Sequence, residues 1–368
     1  MPRLKNAKIL LTLFYIIAAI VTLSACGGGG KGGSSSSSSS SPYTQPSIST
    51  IPTYTYPAGA GPASIAVDKN GNIWLADVGT NSNPGTTVTE LSSSGNLIGS
   101  YPAGTGPDSV AVAPNGNIWL ADWGSSSSPG HFLVELTSAG DPVKTYDVVE
   151  NGLKSVAVDN SGNVWVADWG IATAAGASGD TVTELNPATS AKTNYTVGNT
   201  SSNGPNCITV GSDGNIWATT FYDNYVTELN ASTGSVMVRF QAGNTSEPNP
   251  DAIAVAPNGN VWVANWGSGN VIGNTVTELN PITGAVIGTY NVGTGPDAIA
   301  VAPNNGNVIV ANNSDDTVTE LNSSGALIGT YAVGSGPDGI AVDNSGNVWV
   351  ADWGSNDVKE LVGLANLS

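Results

Sequence analysis

The fold is decided by GPDAIAV at residues 295–301 and GNVWVAD at residues 346–352. Each is part of a pattern that recurs from residue 51 to residue 368. Gly-Asn-x-Trp occurs six times, and the seventh copy has Ile309 in place of the tryptophan. A glutamate in the third part of each copy recurs every 40 to 50 residues, at Glu90, Glu135, Glu184, Glu228, Glu278, Glu320 and Glu360. Such a period is typical of β-propeller blades.

Four short runs in each copy have the composition of strands. Residues 65–67 are short and apolar, as expected for the strand that lines the channel, and residues 72–76 place a tryptophan between blades. The last copy lacks a clear fourth run, whereas residues 53–59 match that run and precede the first copy. We therefore predict an all-β fold: a seven-bladed β-propeller with four-stranded blades, whose last blade is closed by an N-terminal strand.

The first residues predict export and anchoring. Basic residues precede an apolar run over 9–23, and Leu-Ser-Ala-Cys at 23–26 resembles the bacterial lipobox. We expect a lipoprotein signal peptide over residues 1–25, a lipidated Cys26 that begins a Gly/Ser-rich tether over residues 26–50, and the propeller over residues 51–368. An uncleaved membrane anchor is the alternative. By analogy with lipoprotein sorting, Gly27 favours the outer membrane, in a cell envelope location.

Charge excludes one class of partner. The chain has 28 acidic and 10 basic residues, which gives a net charge of -18, and removal of residues 1–25 leaves 7 basic residues. A nucleic-acid partner is therefore not expected. The acidity suits cations or neutral polar ligands such as sugars, or it serves solubility alone. Of the two cysteines, Cys207 lies in an apolar run and is predicted to be a buried free thiol.

The repeat resembles the NHL and streptogramin-lyase-like (virginiamycin B lyase) propellers, on the residues of the two quoted stretches. The resemblance covers essentially all of residues 51–368 and implies a propeller fold. It also implies a carbon–oxygen lyase with a histidine base at the channel mouth, glutamates and a magnesium ion. Here His131 is the single histidine, and it does not follow a Gly-Pro pair. Lactonase-type propellers, which use calcium, are a second enzymatic resemblance.

A first set of candidate residues follows the Gly-Pro pairs. In a propeller these positions ring the channel mouth, and carboxylate and amide oxygens there suit Ca²⁺ or Mg²⁺. The alternative is that aspartate simply favours this turn. Ala63 and Lys154 interrupt the set. The predicted metal ligands are Asp108, Asn206, Asp251, Asp297 and Asp338.

A second set ends the second strand on the same face. Four copies place a tryptophan directly after an acid or amide, and aromatic rings beside polar groups suit a sugar or a protein partner. Packing of these rings under their own loops is the alternative. The predicted ligand-binding residues are Trp123, Trp169, Trp266, Trp353, Asp122, Asp168, Asn265 and Asp352.

These features favour a membrane-anchored extracytoplasmic binding module over an enzyme. The alternative is a metal-dependent lyase or hydrolase, streptogramin-lyase-like or lactonase-like, at the channel mouth. No cofactor is firmly indicated besides the candidate Ca²⁺ or Mg²⁺, and the expected partner is a protein or a carbohydrate. The repeated glutamate is expected to have a strand-edge or capping role on the third strand.

Overall fold

The computed structural model describes residues 51–80, 82–125, 128–148, 152–170, 179–198, 204–242, 249–268 and 271–367. Within them, seven antiparallel sheets of four strands form the blades of a propeller. The innermost strands are β2 (Pro62–Val67), β6 (Pro107–Val112), β12 (Leu153–Val158), β16 (Pro205–Val210), β20 (Pro250–Val255), β24 (Pro296–Val301) and β28 (Pro337–Val342). The seven-bladed, four-stranded fold predicted from the repeat is confirmed.

Outward from the channel, the second and third strands of each blade follow the innermost strand in chain order. The second strands are β3 (Ile73–Thr80), β7 (Ile118–Asp122), β13 (Val164–Asp168), β17 (Ile216–Thr220), β21 (Val261–Ser268), β25 (Val308–Asn312) and β29 (Val348–Asp352). The third strands are β4 (Asn83–Leu91), β10 (Phe132–Leu136), β14 (Thr181–Asn186), β18 (Tyr225–Leu229), β22 (Val271–Leu279), β26 (Thr317–Leu321) and β30 (Asp357–Leu361).

The outermost strands include one from the N-terminal end of the described chain. They are β5 (Leu97–Pro102), β11 (Pro142–Asp147), β15 (Ala191–Thr196), β19 (Val236–Gln241), β23 (Val286–Asn291), β27 (Leu327–Ala332) and β1 (Thr53–Pro57). A two-stranded ribbon, β8 (Gly124–Ser125) with β9 (Ser128–Pro129), extends blade 2, and a 3₁₀ turn (Leu364–Asn366) follows the last strand.

The strand tryptophans fill the space between neighbouring blades, as predicted. Trp74 of blade 1 is fully buried and clusters with Val110 and Leu120 of blade 2. Its ring also stacks on Tyr101 of its own outer strand, with centroids 5.6 Å apart. Burial of this large apolar ring stabilises the packing of the blades in the six copies that carry the tryptophan.

The repeated glutamate joins three strands of its blade. In blade 1, Asn72 Nδ2 donates to Glu90 Oε1 at 2.8 Å and the Tyr101 hydroxyl donates to Glu90 Oε2 at 2.9 Å. The glutamate thus connects the second strand to the tyrosine that stacks on the blade's tryptophan. The same bonds recur in blades 2, 5 and 6. The structural role predicted for this residue is a buried hydrogen-bonding centre.

Blade 7 is closed by β1, which pairs with β30 along its whole length from Thr53–Leu361 to Pro57–Asp357. Tyr56 stacks on Trp349 at 5.6 Å and donates its hydroxyl to Glu360 at 2.8 Å. The composite blade therefore has the tyrosine–tryptophan stacking and the tyrosine–glutamate hydrogen bond that blade 1 has. The predicted N-terminal closure is confirmed.

Several predictions fall on residues outside the described part of the chain. The signal peptide, the tether and the lipidated Cys26 lie in residues 1–50 and stay predictions. None of the helices among the described residues is long and apolar enough to cross a membrane. Cys207 is buried with a free thiol, as expected.

Candidate functional site

One edge of every blade carries the start of the first strand and the end of the second. In blade 7, Pro337 pairs with Asp352 at this edge, whereas Val342 pairs with Val348 at the other. We call the side of the propeller formed by these starting edges the mouth face. Both sequence-predicted sets of residues lie there.

A β-bulge at the mouth face aims one side chain per blade at the channel. The register between the first and second strands shifts at this residue in each blade, for example between Pro107 and Ser109 or between Leu153 and Ser155. Bulges redirect a side chain out of the regular alternation and are common at functional sites. The residues at these positions, here called the ring residues, are Ala63, Asp108, Lys154, Asn206, Asp251, Asp297 and Asp338.

Blades 2 and 3 contribute an ion pair to this ring. Lys154 Nζ lies 2.7 Å from Asp108 Oδ2, and both side chains are almost completely buried. The ammonium also lies 5.0 Å above the centroid of the Trp123 ring. Burial raises the pKa of Asp108 despite the opposing effect of Lys154. Lys154, which interrupts the acidic set in the sequence, is therefore the counter-ion of one of its members.

Blades 4 to 7 contribute a chain of contacting polar side chains. Asn206 Nδ2 donates to Asp251 Oδ1, Asp251 contacts Asp297, and Asp297 contacts Asp338. Asp338 Oδ1 also accepts a hydrogen bond of 2.7 Å from Asn313 Nδ2, which comes from the second-strand end of blade 6. Four of the five predicted metal ligands are thus linked by direct contacts.

The three contacting carboxyls are buried together, and this arrangement disfavours their charged forms. Burial, followed by the charges of Asp338 and Asp251, raises the pKa of Asp297 well above its usual value. Burial raises the pKa of Asp338 to about 7. The Oδ2 atoms of all three are buried, and no nitrogen or hydroxyl of the described residues donates to them. Protons shared between the carboxyls, or a bound cation, must supply the missing donors.

The described residues include no preassembled cluster of three or more histidine, cysteine or acidic side chains that could hold a metal ion. The ring carboxyls bond instead to one another, to Lys154 and to amides. Metal binding by the five predicted residues therefore stays a prediction, and it would require these contacts to rearrange.

The acids and amides that end the second strands are buried inside their blades. Asp168 Oδ2 accepts bonds from Thr181 and Thr183, at 3.0 and 2.7 Å, and Asn265 Nδ2 donates to the equivalent threonines of blade 5. Asp122 accepts from two backbone amides, and Asp352 from one. Each side chain ties a second strand to its neighbourhood. Ligand contacts by these four residues stay a prediction.

The four tryptophans that directly follow these acids and amides in the sequence are half-buried. Three of them contact the next blade of the propeller. Trp123 contacts Lys154 of blade 3. Trp169 packs against Phe221 and Tyr222 of blade 4, with ring centroids 5.7 Å apart, and Trp353 Nε1 donates to Gly79 O of blade 1 at 3.0 Å. Part of each ring, including that of Trp266, stays accessible on the mouth face. The rings therefore combine packing with a surface that a ligand can reach.

His131 does not occupy one of the ring positions. It precedes β10 in blade 2, and its ring centroid is 4.0 Å from that of Phe132. Burial raises the pKa of Asp122 to about 6, and the charge of His131 opposes this rise. The position does not match a base at the channel mouth.

Comparison with known proteins agrees with this architecture. No family model and no curated protein sequence matches the chain. Among solved structures, a streptogramin B lyase has a TM-score of 0.70 at 18% identity, covering 84% of this chain and 97% of its own. Virginiamycin B lyase from Staphylococcus aureus has a TM-score of 0.70 at 17% identity, covering 85% and 99%. Hydrazine synthase from Kuenenia stuttgartiensis has a TM-score of 0.71 at 16% identity, covering 86% and 97%. The chain therefore shares the β-propeller fold of these proteins.

Proposed function

We propose that the protein is an envelope-anchored binding module that captures a ligand or protein partner on the mouth face. The observation that carries the proposal is the convergence there of partly accessible tryptophans and a ring of buried acids, three of which contact one another. Aromatic and polar groups that share one rigid surface suit specific recognition. The scaffold holds them in place because each ring residue and each tryptophan belongs to a well-packed blade.

The direction of the chain supports an anchored arrangement. Strand β1 begins at Thr53, which pairs with Leu361, and Leu361 pairs with Val348 at the edge opposite the mouth face. A tether that precedes Thr53 therefore meets the propeller on the far side from the ring. With Cys26 lipidated and held in the outer membrane, the mouth face is directed away from the membrane that holds the lipid.

Replacing all four mouth-face tryptophans with alanine should abolish ligand capture while the propeller still folds. The rings are half-buried, so each contributes accessible contact area, whereas the strand tryptophans provide the core. Binding of wild type and of the variant Trp123→Ala, Trp169→Ala, Trp266→Ala, Trp353→Ala is measured on carbohydrate and peptide arrays. Folding is followed by circular dichroism and thermal melting.

The matched control is Trp74→Ala, which removes a fully buried ring and should cost about 3–5 kcal/mol of unfolding free energy. The proposal is contradicted if the quadruple variant folds and binds as wild type does. It is also contradicted if the four single variants are each as destabilised as Trp74→Ala, because the rings then belong to the core.

A metal-dependent lyase or hydrolase at the channel mouth is the second candidate function. The buried Oδ2 atoms of Asp251, Asp297 and Asp338, which receive no nitrogen or hydroxyl donor from the described residues, favour it. With Asp108 and Asn206 they provide the oxygen ligands that Ca²⁺ and Mg²⁺ prefer. A bound ion would polarise a substrate oxygen, and a ring carboxyl would move the proton. The fold shared with streptogramin B lyase is compatible with this chemistry.

Calorimetric titration with calcium and magnesium tests the second candidate. If it is correct, either ion binds with measurable heat and raises the melting temperature, and Asp297→Asn removes both effects. An absence of heat and of a thermal shift at millimolar metal would exclude this metal-dependent version. The binding-module proposal would be unaffected by that result.

A further inference from the structure

The protein already contains one complete site for an ammonium group. The Lys154 ammonium is bonded to the Asp108 carboxylate at 2.7 Å and lies 5.0 Å above the Trp123 ring. A carboxylate and an aromatic face together provide a charge partner and a cation–π contact. Lysine and aspartate are both buried, so the two contacts replace the water that the ammonium loses.

The boundary between blades 7 and 1, here called the seam, has the same acid and tryptophan but no lysine. Asp338 and Trp353 occupy in blade 7 the repeat positions that Asp108 and Trp123 occupy in blade 2. The next ring residue is Ala63, at the same bulge position in blade 1 as Lys154 in blade 3. The acid and the aromatic ring are retained, while the side chain that would carry the cation is reduced to a methyl group.

The tryptophan ring at the seam is held in a fixed position. Its Nε1 donates to Gly79 O at 3.0 Å. Gly61 lies directly against it: a Cβ on this residue, whose φ is +58°, would come within 2.8 Å of Trp353 Nε1. The absence of a side chain at Gly61 therefore allows the edge of the ring that carries Nε1 to approach this backbone closely.

The carboxyl at the seam has an oxygen to offer. Asp338 is 2% exposed; its Oδ1 accepts from Asn313, and its Oδ2 is buried with no nitrogen or hydroxyl donor among the described residues. Asp297 makes a carboxyl–carboxyl contact with Asp338. The charges of Asp108 and Asp251 also act on Asp338, and the more distant Lys154 ammonium opposes them. Because a single ammonium needs one carboxylate and one aromatic face, it fits this seam without the preassembled acidic cluster that a metal ion needs.

We propose that the seam between blades 7 and 1 binds a primary alkylammonium group, the chemistry of a lysine side chain, with the Asp338 carboxylate as its charge partner and the Trp353 ring as its aromatic wall. The inference rests on the proposed binding function and names the chemistry of the ligand. Substrate or partner recognition on the mouth face then begins with insertion of an amine beside Ala63.

The test is calorimetric titration of the full-length chain with n-butylammonium chloride at pH 8, with n-butanol as the uncharged control. We expect about one equivalent of the amine to bind and n-butanol not to bind. Asp338→Asn and Trp353→Ala should each weaken amine binding at least about tenfold, because each removes one of the two contacts. The matched control Asp141→Asn removes one exposed acid far from the mouth face and should leave the affinity unchanged.

Two further variants exchange the cation between the seam and the internal site. Ala63→Lys should supply an internal ammonium, raise the melting temperature and abolish amine binding. Lys154→Ala should create a second site beside Asp108, so that about two equivalents bind and the amine raises the reduced melting temperature of this variant. These results do not depend on whether Asp338→Asn folds.

The inference is overturned if n-butylammonium does not bind, if Ala63→Lys leaves its binding unchanged, or if calcium or magnesium binds at the seam and excludes the amine. If array binding depends on the four tryptophans but the amine does not bind, only the seam site is overturned. If the quadruple variant and the single variants all keep their array binding, the proposed function itself is contradicted.

Discussion

Replacing Lys154 with methionine is expected to lower the free energy of unfolding by about 3–5 kcal/mol at pH 7, because it leaves the buried Asp108 carboxylate without its counter-ion. Methionine keeps most of the apolar stem and removes only the charge. The destabilisation should shrink towards pH 4, where Asp108 takes up a proton and no longer needs a partner. Chemical denaturation at several pH values measures the effect.

The matched control is Lys359→Met, which breaks a more exposed ion pair. That pair joins Lys359 to Asp357 at 3.0 Å, and both side chains are partly exposed, so its loss should cost about 1 kcal/mol or less. The double variant Lys154→Met, Asp108→Asn should regain most of the lost stability. Equal costs for the two lysine variants would show that the ring ion pair is not desolvated in solution.

Replacing Asp352 with asparagine is expected to stabilise the protein at alkaline pH by roughly 2–4 kcal/mol. Burial raises the pKa of Asp352 to about 8. The folded state therefore holds the proton more tightly than the unfolded state, so wild-type stability falls as the pH rises from about 4 to about 8. Asparagine does not ionise and can still accept the hydrogen bond from Gly334 N.

The difference in stability between Asp352→Asn and wild type should be near zero at pH 4 and should reach its maximum above pH 8. Asp77→Asn is the graded comparison, because the pKa of Asp77 is raised only to about 6 and its gain should be smaller and complete at lower pH. Blades 5 and 6 already use Asn265 and Asn312 at this position. A gain that does not vary with pH would contradict the assigned cause.

The sequence predicts this fold well because the repeat encodes it several times over. The spacing of the third-strand glutamates gives the blade count, and the match of residues 53–59 to an outer strand predicts the composite blade. The reason why the glutamate recurs is harder to predict from the sequence. Its partners, Asn72 and Tyr101 in blade 1, lie 18 and 11 residues away, although their regular recurrence with the glutamate is a usable signal.

The candidate site is harder to predict, because its contacts join different blades. Lys154 and Asp108 are 46 residues apart, and Asn313 reaches Asp338 across a blade boundary. Repeat alignment places these side chains on one face, but it does not determine which of them share a proton, form an ion pair or stack. Repeat alignment also marks the acids that end the second strands as candidate ligands in the same way as the ring residues, although their hydrogen bonds lie inside the blades.

The mouth face is asymmetric, because the ring residues differ from blade to blade. Blades 2 and 3 contribute the Asp108–Lys154 ion pair, whereas blades 5 to 7 contribute three contacting acids, Asp251, Asp297 and Asp338, without a lysine among them. A cationic ligand is therefore drawn to one side of the channel, next to the seam at Ala63. The composite blade that closes the propeller is also the blade that carries the proposed amine partner.

The most direct measurement is a crystal structure of the protein grown at pH 8 with n-butylammonium chloride. The account predicts the amine nitrogen about 3 Å from the Asp338 carboxylate, with its alkyl chain against the Trp353 ring and beside Ala63. A structure in which the seam holds no amine, with the Asp338 carboxyl bonded only to Asp297 and Asn313 and the Trp353 ring packed over the space beside Ala63, would contradict it.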